Sequence, residues 1–134
     1  MRAADRFIDT NVLLYLLSGD ESKADRAEKE LARGGVLSVQ VLNEFASVAS
    51  RKLKMPIVEI REVLGTVRTL CKVVPVAEET HDLGLGLAER YGISVFDSMV
   101  IAAALLARCK TLLSEDLQDG QVFEKTLRVQ NPFE

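Results

Sequence analysis

The sequence predicts an α/β domain built on a parallel β-sheet. Short apolar runs of β-forming residues alternate with longer stretches whose apolar positions recur at helical spacing. The 134 residues suit one compact unit, residues 1–134, that can bury a core without disulfides or a structural metal. A composition of 48% hydrophobic and 28% charged residues is that of a globular chain and excludes the disordered class.

Taken in order, Arg6 to Asp9 reads as the first strand. Asn11 is placed to cap a helix running to about Ser18. A second helix spans residues 21–33 and is stopped by Gly34-Gly35. Residues 36–38 form a short buried strand. Residues 39–52 are helical, since Val41, Leu42, Phe45, Val48 and Ala49 recur on one face. Pro56 suits the first turn of a helix that reaches about Leu70. Residues 72–76 read as a strand, and residues 78–91 as a helix ended by Gly92. Asp97 opens a helix to about Arg108, Thr111 to Ser114 is a strand, and residues 127–129 form a last, edge strand.

Charge and composition narrow the function. A net charge of −3 and a pI near 5.3 lack the basic footprint of simple nucleic-acid binders. Carboxylates gathered at one metal site would reverse that field locally. Cys71 and Cys109 stand in apolar surroundings without a CxxC pair and are expected to be reduced core thiols. The N-terminus lacks a long apolar segment, and the apolar runs at 12–17 and 99–107 are too short to span a bilayer. The expectation is a cytoplasmic protein with no membrane partner. The single histidine, His81, excludes a histidine-pair ribonuclease and is expected to face solvent at a helix start. Gly84 and Gly86 lie in a helical run, and no phosphate-binding glycine loop is present.

The informative signal is acid where the pattern wants apolar residues. On a helical projection Asp97 has Val100, Ile101, Ala104 and Leu105 as angular neighbours, so it lies along the apolar face. A carboxylate there needs a cation, hydrogen bonds or a proton, although acids also favour helix starts. Glu44 sits at the edge of an apolar stripe, where a snorkelling surface glutamate is the alternative. Asp9 closes an apolar strand and is either a helix cap or, with Asn11 capping, a free carboxylate. Asp116 follows Leu112-Leu113, and Asp119-Gly120 nearby is an ordinary turn signal. Ligands of parallel sheets bind beyond the carboxyl ends of the strands, where Asp9 and Asp116 fall. Hard cations such as Mg²⁺ or Mn²⁺ take oxygen ligands of this kind.

The motifs resemble a known family. Phe7-Ile8-Asp9-Thr10-Asn11-Val12-Leu13 is similar to the opening motif of PIN domains, particularly the VapC toxins of bacterial toxin–antitoxin pairs. Val41-Leu42-Asn43-Glu44-Phe45 looks like their second motif. Residues 94–104, around Asp97, resemble the third, and residues 113–120, around Asp116, the fourth. The four occur in order over nearly the whole chain. The resemblance implies a PIN-like α/β/α sandwich, with a central parallel sheet flanked by helices. It implies a metal-dependent endoribonuclease whose Asp9, Glu44, Asp97 and Asp116 hold one or two Mg²⁺ or Mn²⁺ ions. Asp119 is close enough in sequence to replace or assist Asp116. Thr10, Asn11 and Ser114 would support these ligands through hydrogen bonds. Homodimerisation and inhibition by a VapB-like antitoxin are implied as well.

For an RNA substrate, five Phe, two Tyr and no Trp supply little base-stacking chemistry, so backbone and shape recognition is expected. Arg51, Lys52 and Lys54 are candidates for gripping phosphates, or a solvated helix end. The helices between Glu21 and Leu70 are the expected dimer surface. Three alternatives stand beside the nuclease. A metal-dependent phosphatase with an aspartyl nucleophile would carry Asp-x-Asp after the first strand, where Asn11 fills the second acid's place. A phosphoacceptor signalling module would want paired acids there. A non-catalytic RNA or protein interaction domain would have no use for four misplaced acids.

Overall fold

The computed structural model describes all residues, Met1–Glu134. Six strands form one sheet: β1 (Arg6–Ile8), β2 (Gly35–Ser38), β3 (Cys71–Val74), β4 (Thr111–Leu113), β5 (Val122–Phe123) and β6 (Leu127–Gln130). The helices are α1 (Thr10–Leu14), α2 (Glu21–Ala32), α3 (Val39–Arg51), α4 (Ile57–Leu70), α5 (Glu78–Tyr91) and α6 (Val95–Leu106). The strand order is β3-β2-β1-β4-β6-β5, parallel throughout except for the β5–β6 pair. Helices α1 to α4 pack on one another and α5 pairs with α6, giving the mostly parallel, PIN-like α/β sandwich.

The chain winds outward from β1 through β2 to β3, then crosses back to place β4 on the other side of β1. The order therefore reverses between β1 and β4. A crevice opens at such a switch point, beyond the carboxyl ends of the strands. The register pairs Ile8 with Leu113, and the Asp9 amide donates to the Leu113 carbonyl at 3.0 Å. Residues 9 and 114 are thus set side by side as they leave the sheet.

Strands β1, β2 and β4 are buried along their whole length, because helices cover both faces of a parallel sheet. Phe7, Ile8, Leu37, Phe45, Ile101 and Leu112 lie in a core cluster of 25 buried residues. Both thiols, Cys71 and Cys109, are free and buried, and burial pushes each up to about 11. Gly34 adopts φ 77° and turns the chain out of α2. A Cβ on Gly35 would come within 2.9 Å of Ile8 Cδ1 and 3.0 Å of the Arg6 carbonyl oxygen, so only glycine lets β2 approach β1 there.

Several boundaries differ from the sequence expectation. Asp9, not Asn11, caps α1, and α1 is one short turn continued by a 3₁₀ turn, Tyr15–Leu17. Pro56 precedes α4 as its cap residue. Helix α6 starts at Val95 with Ser94 as its cap, which puts Asp97 in the first turn. Strand β6 is not the edge: it pairs with β4 on one side and β5 on the other. The two-residue β5 is too short to leave a period in the sequence.

One charge is buried at the amino end of β1. Arg6, 2% exposed, donates to the Glu30 carboxylate at 3.1 Å, to the Glu30 carbonyl at 3.2 Å and to the Gly34 carbonyl. Glu30, also 2% exposed, is further paired with Arg33 at 3.0 Å. Truncating one partner strands the other charge inside, so Glu30→Ala is expected to cost ~3–5 kcal/mol in urea unfolding. Combining it with Arg6→Met should restore much of that stability, since the stranded cation is gone.

Candidate active site

Asp9 lies at the switch point and is 5% exposed. Its backbone is extended, and its carboxylate accepts from the Thr10 amide at 2.7 Å, from Ser114 Oγ at 2.9 Å and from Asn11 Nδ2 at 3.2 Å. Oδ1 makes the capping bond, and Oδ2 takes both the Ser114 and the Asn11 bonds. The donors are all neutral. Burial pushes the Asp9 carboxyl up to about 6; the negative Asp116 and Glu44 add to this, against the Ser114 and Thr10 hydrogen bonds.

Asn11 is the hub that joins two loops. Its Nδ2 faces Asp9 at 3.2 Å, Ser114 Oγ at 3.2 Å and Asp116 Oδ2 at 3.1 Å. Its Oδ1 accepts from the Glu115 amide at 3.0 Å, which pins the loop after β4. Ser114 is fully buried, and its Oγ also accepts from the Asp116 amide at 3.3 Å. Asp116 itself is exposed.

Glu44 enters from α3 and is half-buried. Its Oε2 accepts from Thr10 Oγ1 at 3.0 Å and its Oε1 from Gln40 Nε2 at 2.8 Å. Thr10, Asn11, Glu44, Ser47, Arg51 and Asp116 share a cleft of about 270 Å³. A second hollow of about 350 Å³, lined in part by Tyr15, Lys52 and Glu115, adjoins it through Asn11, Leu14 and Val48.

The structure therefore gathers Asp9, Glu44 and Asp116 around Thr10, Asn11 and Ser114. Asp97 stands apart. It is half-buried in the first turn of α6, and its amide donates to Ser94 Oγ at 3.1 Å. Helix α6 is buried on every side from Ser98 to Ala104, so an angular position gives Asp97 no burial; its place at the emerging helix end sets its exposure. The link to the cluster is Gln40, whose Nε2 also donates to the Phe96 carbonyl at 3.3 Å. Asp119 is turned elsewhere, with Oδ1 accepting from the Asn131 amide at 2.9 Å. His81 is exposed at the start of α5.

No three of the acids close into a metal cage as the side chains stand. The donor chemistry nevertheless fits a hard divalent cation. The donors are oxygens only, one carboxylate is buried, and its neighbours repel its charge. Residues that sequence reasoning missed are Gln40, Ser47 and Lys23. Gln40 and Glu44 are one helical turn apart, a spacing that marks a side-chain pair. Lys23, which reaches Glu115 at 3.5 Å and Tyr15 Oη at 3.1 Å, left no such signal.

An α/β domain with an acid-lined cleft at the switch point of a parallel sheet is the class defined by fold and site. The chain belongs to the PIN-domain family, whose model, described as "PIN domain", matches residues 6–123. PIN domains are generally nucleases. No curated protein sequence matches the chain. Among solved structures it is similar to a toxin–antitoxin complex from Klebsiella pneumoniae, with 18% identity, a TM-score of 0.70 and coverage of 95% of this chain and 97% of that one. It is also similar to FitAcB from Neisseria gonorrhoeae, with 20% identity, TM-score 0.71 and coverage of 96% and 98%. Mycobacterium tuberculosis VapC20, described as a Sarcin-Ricin loop cleaving toxin, is similar at 16% identity and TM-score 0.67, covering 83% of this chain and 91% of that one. At these identities the likeness is one of fold.

The buried Asp9 predicts a pH effect. Folded, it holds its proton up to about pH 6, against an ordinary value of 3.8. The folded chain binds more protons between these values, so stability falls as pH rises through the window and stays lower above it. Asp9→Asn, which still caps α1, is expected to raise metal-free stability at pH 7.5 by on the order of 1–3 kcal/mol. Urea unfolding in EDTA should show that gain shrinking towards nothing near pH 4.

Proposed function

We propose that this chain is a Mg²⁺- or Mn²⁺-dependent endoribonuclease that hydrolyses RNA phosphodiester bonds, and the toxin of a VapBC-type pair. The observation that carries the reading is the constellation of Asp9, Asn11, Ser114 and Asp116, bonded across the crevice between β1 and β4, with Glu44 tied to it through Thr10. A nucleic acid-cleaving site needs acids brought together against their mutual repulsion, and this one holds them with neutral donors.

In this reading Asp9, Glu44, Asp97 and Asp116 hold the cation. When bound, it would activate water and offset charge on the scissile phosphate. Thr10 and Gln40 orient the Glu44 carboxylate, and Asn11 and Ser114 fix Asp9 and the loop carrying Asp116. Arg51, whose Nε donates to Ser47 Oγ at 3.0 Å, stands on the cleft wall, and Lys52 on the wall of the adjoining hollow. These cations are placed to take the phosphates flanking the cut. The scheme needs no side-chain nucleophile, because the attacking group is water.

A VapB-like antitoxin and a second copy of the chain are the proposed protein partners, and the cytoplasm the proposed location. Support comes from apolar side chains left exposed, among them Leu53 (51%) on the adjoining hollow and Ile57 (60%) and Val58 (70%) at the start of α4. The likeness to the toxin–antitoxin complex from Klebsiella pneumoniae supports the antitoxin partner. No helix is long and apolar enough to cross a membrane.

The test is cleavage of total cellular RNA, read by sequencing new 5′ ends, with Mn²⁺ or Mg²⁺, with EDTA, and with Asp97→Asn. Discrete cuts that need metal and disappear in the variant are expected. A folded, metal-binding chain that makes none would sink the proposal. The triple change Arg51→Ala, Lys52→Ala, Lys54→Ala should weaken binding of a non-cleaved RNA and flatten its salt dependence, by about 0.7 in log–log slope for each phosphate no longer neutralised. An unchanged slope would remove these cations from the RNA path.

A further inference from the structure

We infer that Gln40 is a positioning residue that sets Asp97 against the other three acids, and so sets the affinity of the site for its cation; this rests on the metal-dependent reading above. Asp9, Glu44 and Asp116 are joined through hydrogen bonds from Thr10, Asn11 and Ser114. Asp97 arrives on a different helix, and none of those donors reaches it. The one polar contact from the cluster to its turn comes from Gln40.

The geometry is specific. The Gln40 amide nitrogen carries two hydrogens and meets two acceptors, Glu44 Oε1 at 2.8 Å and the Phe96 carbonyl at 3.3 Å. Both neighbours accept, so the nitrogen and not the oxygen must face them. Phe96 O belongs to the peptide that leads directly into Asp97. Ser94 Oγ accepts from the Asp97 amide at 3.1 Å, so that turn is held by its own cap and by Gln40 from α3. Glu44 is then oriented by a donor on each oxygen, Thr10 on one and Gln40 on the other.

Two consequences follow from bond count and charge. Gln40 places no charge of its own in the cleft, so its removal leaves the charge of the acid set unchanged. What changes is the hold on the Glu44 carboxylate and on the Phe96 carbonyl, and with it the preorganisation that four oxygen ligands from separate elements require. Partners of this kind usually govern metal affinity by ~10–100-fold. Gln40 is half-buried on a separate hollow that it lines with Val39, Glu44 and Phe96, so removing its amide opens no hole in the core.

The experiment is Mn²⁺ binding to the full chain, followed by the disappearance of the free-ion electron paramagnetic resonance signal, with melting of the metal-free protein as the fold control. Gln40→Leu and Gln40→Met both remove the donor while keeping bulk. The expected result is a Kd for Mn²⁺ raised by ~10-fold or more in both, with metal-free melting close to wild type. A Kd within about threefold of wild type in either folded variant would overturn the inference and leave the nuclease reading standing. Failure of the wild-type chain itself to bind Mn²⁺ would overturn both, and is told apart because it precedes any substitution.

Discussion

The structure turns on a carboxylate held where water is excluded. Asp9 ends the central strand at the point where the strand order reverses, with β4 on one side and the first turn of α1 above it. An isolated buried charge would be expelled or neutralised. Here three neutral donors are spent on it, and a proton is retained more tightly than usual. The surrounding side chains are arranged by that demand: Asn11 faces inward, Ser114 is fully buried, and the loop after β4 is bent back so that Asp116 meets Asn11.

Strand β1 carries a buried charge at each end of its apolar pair Phe7-Ile8, and the two ends are treated differently. At the amino end Arg6 meets a carboxylate and two carbonyls, and the charge is matched inside the protein. At the carboxyl end Asp9 meets neutral donors and like charges, and no side-chain cation of the chain is bonded to it. The first arrangement is an ion pair; the second is a buried carboxylate without one, at the edge of the candidate site. The contrast distinguishes them more sharply than burial alone, because both residues are almost fully buried.

Much of the fold is legible in the sequence. Helices α2 to α5 lie within a few residues of their expected spans, because their apolar stripes are long and their stops are chemical, Gly34-Gly35 and Gly92 among them. The parallel, helix-flanked sheet follows from the alternation of short and long periodic runs. The departures are local contests. Asp9 and Asn11 are both good caps, and only the crevice beyond them decides that Asp9 caps while Asn11 bridges to Ser114 and Asp116. Strand β5 is too short to show a period, which makes β6 read as an edge although it is not one.

By itself the sequence determined the class of fold and drew attention to acids set against apolar runs, of which only Asp9 is buried, since periodicity is a property of the chain near each residue. Tertiary structure alone decided which of those acids meet. Asp9 and Asp116 are neighbours because β1 and β4 pair in a register that no local pattern encodes. Asp119 is diverted to the Asn131 amide by the same strand order. The turn that carries Asp97 is tied to α3 by the Gln40 bond to the Phe96 carbonyl, a contact between two helices whose distance is set by the sheet they both cover. Pairing between strands far apart in sequence is a cooperative outcome of the whole core, and so lies beyond what any window of residues can specify.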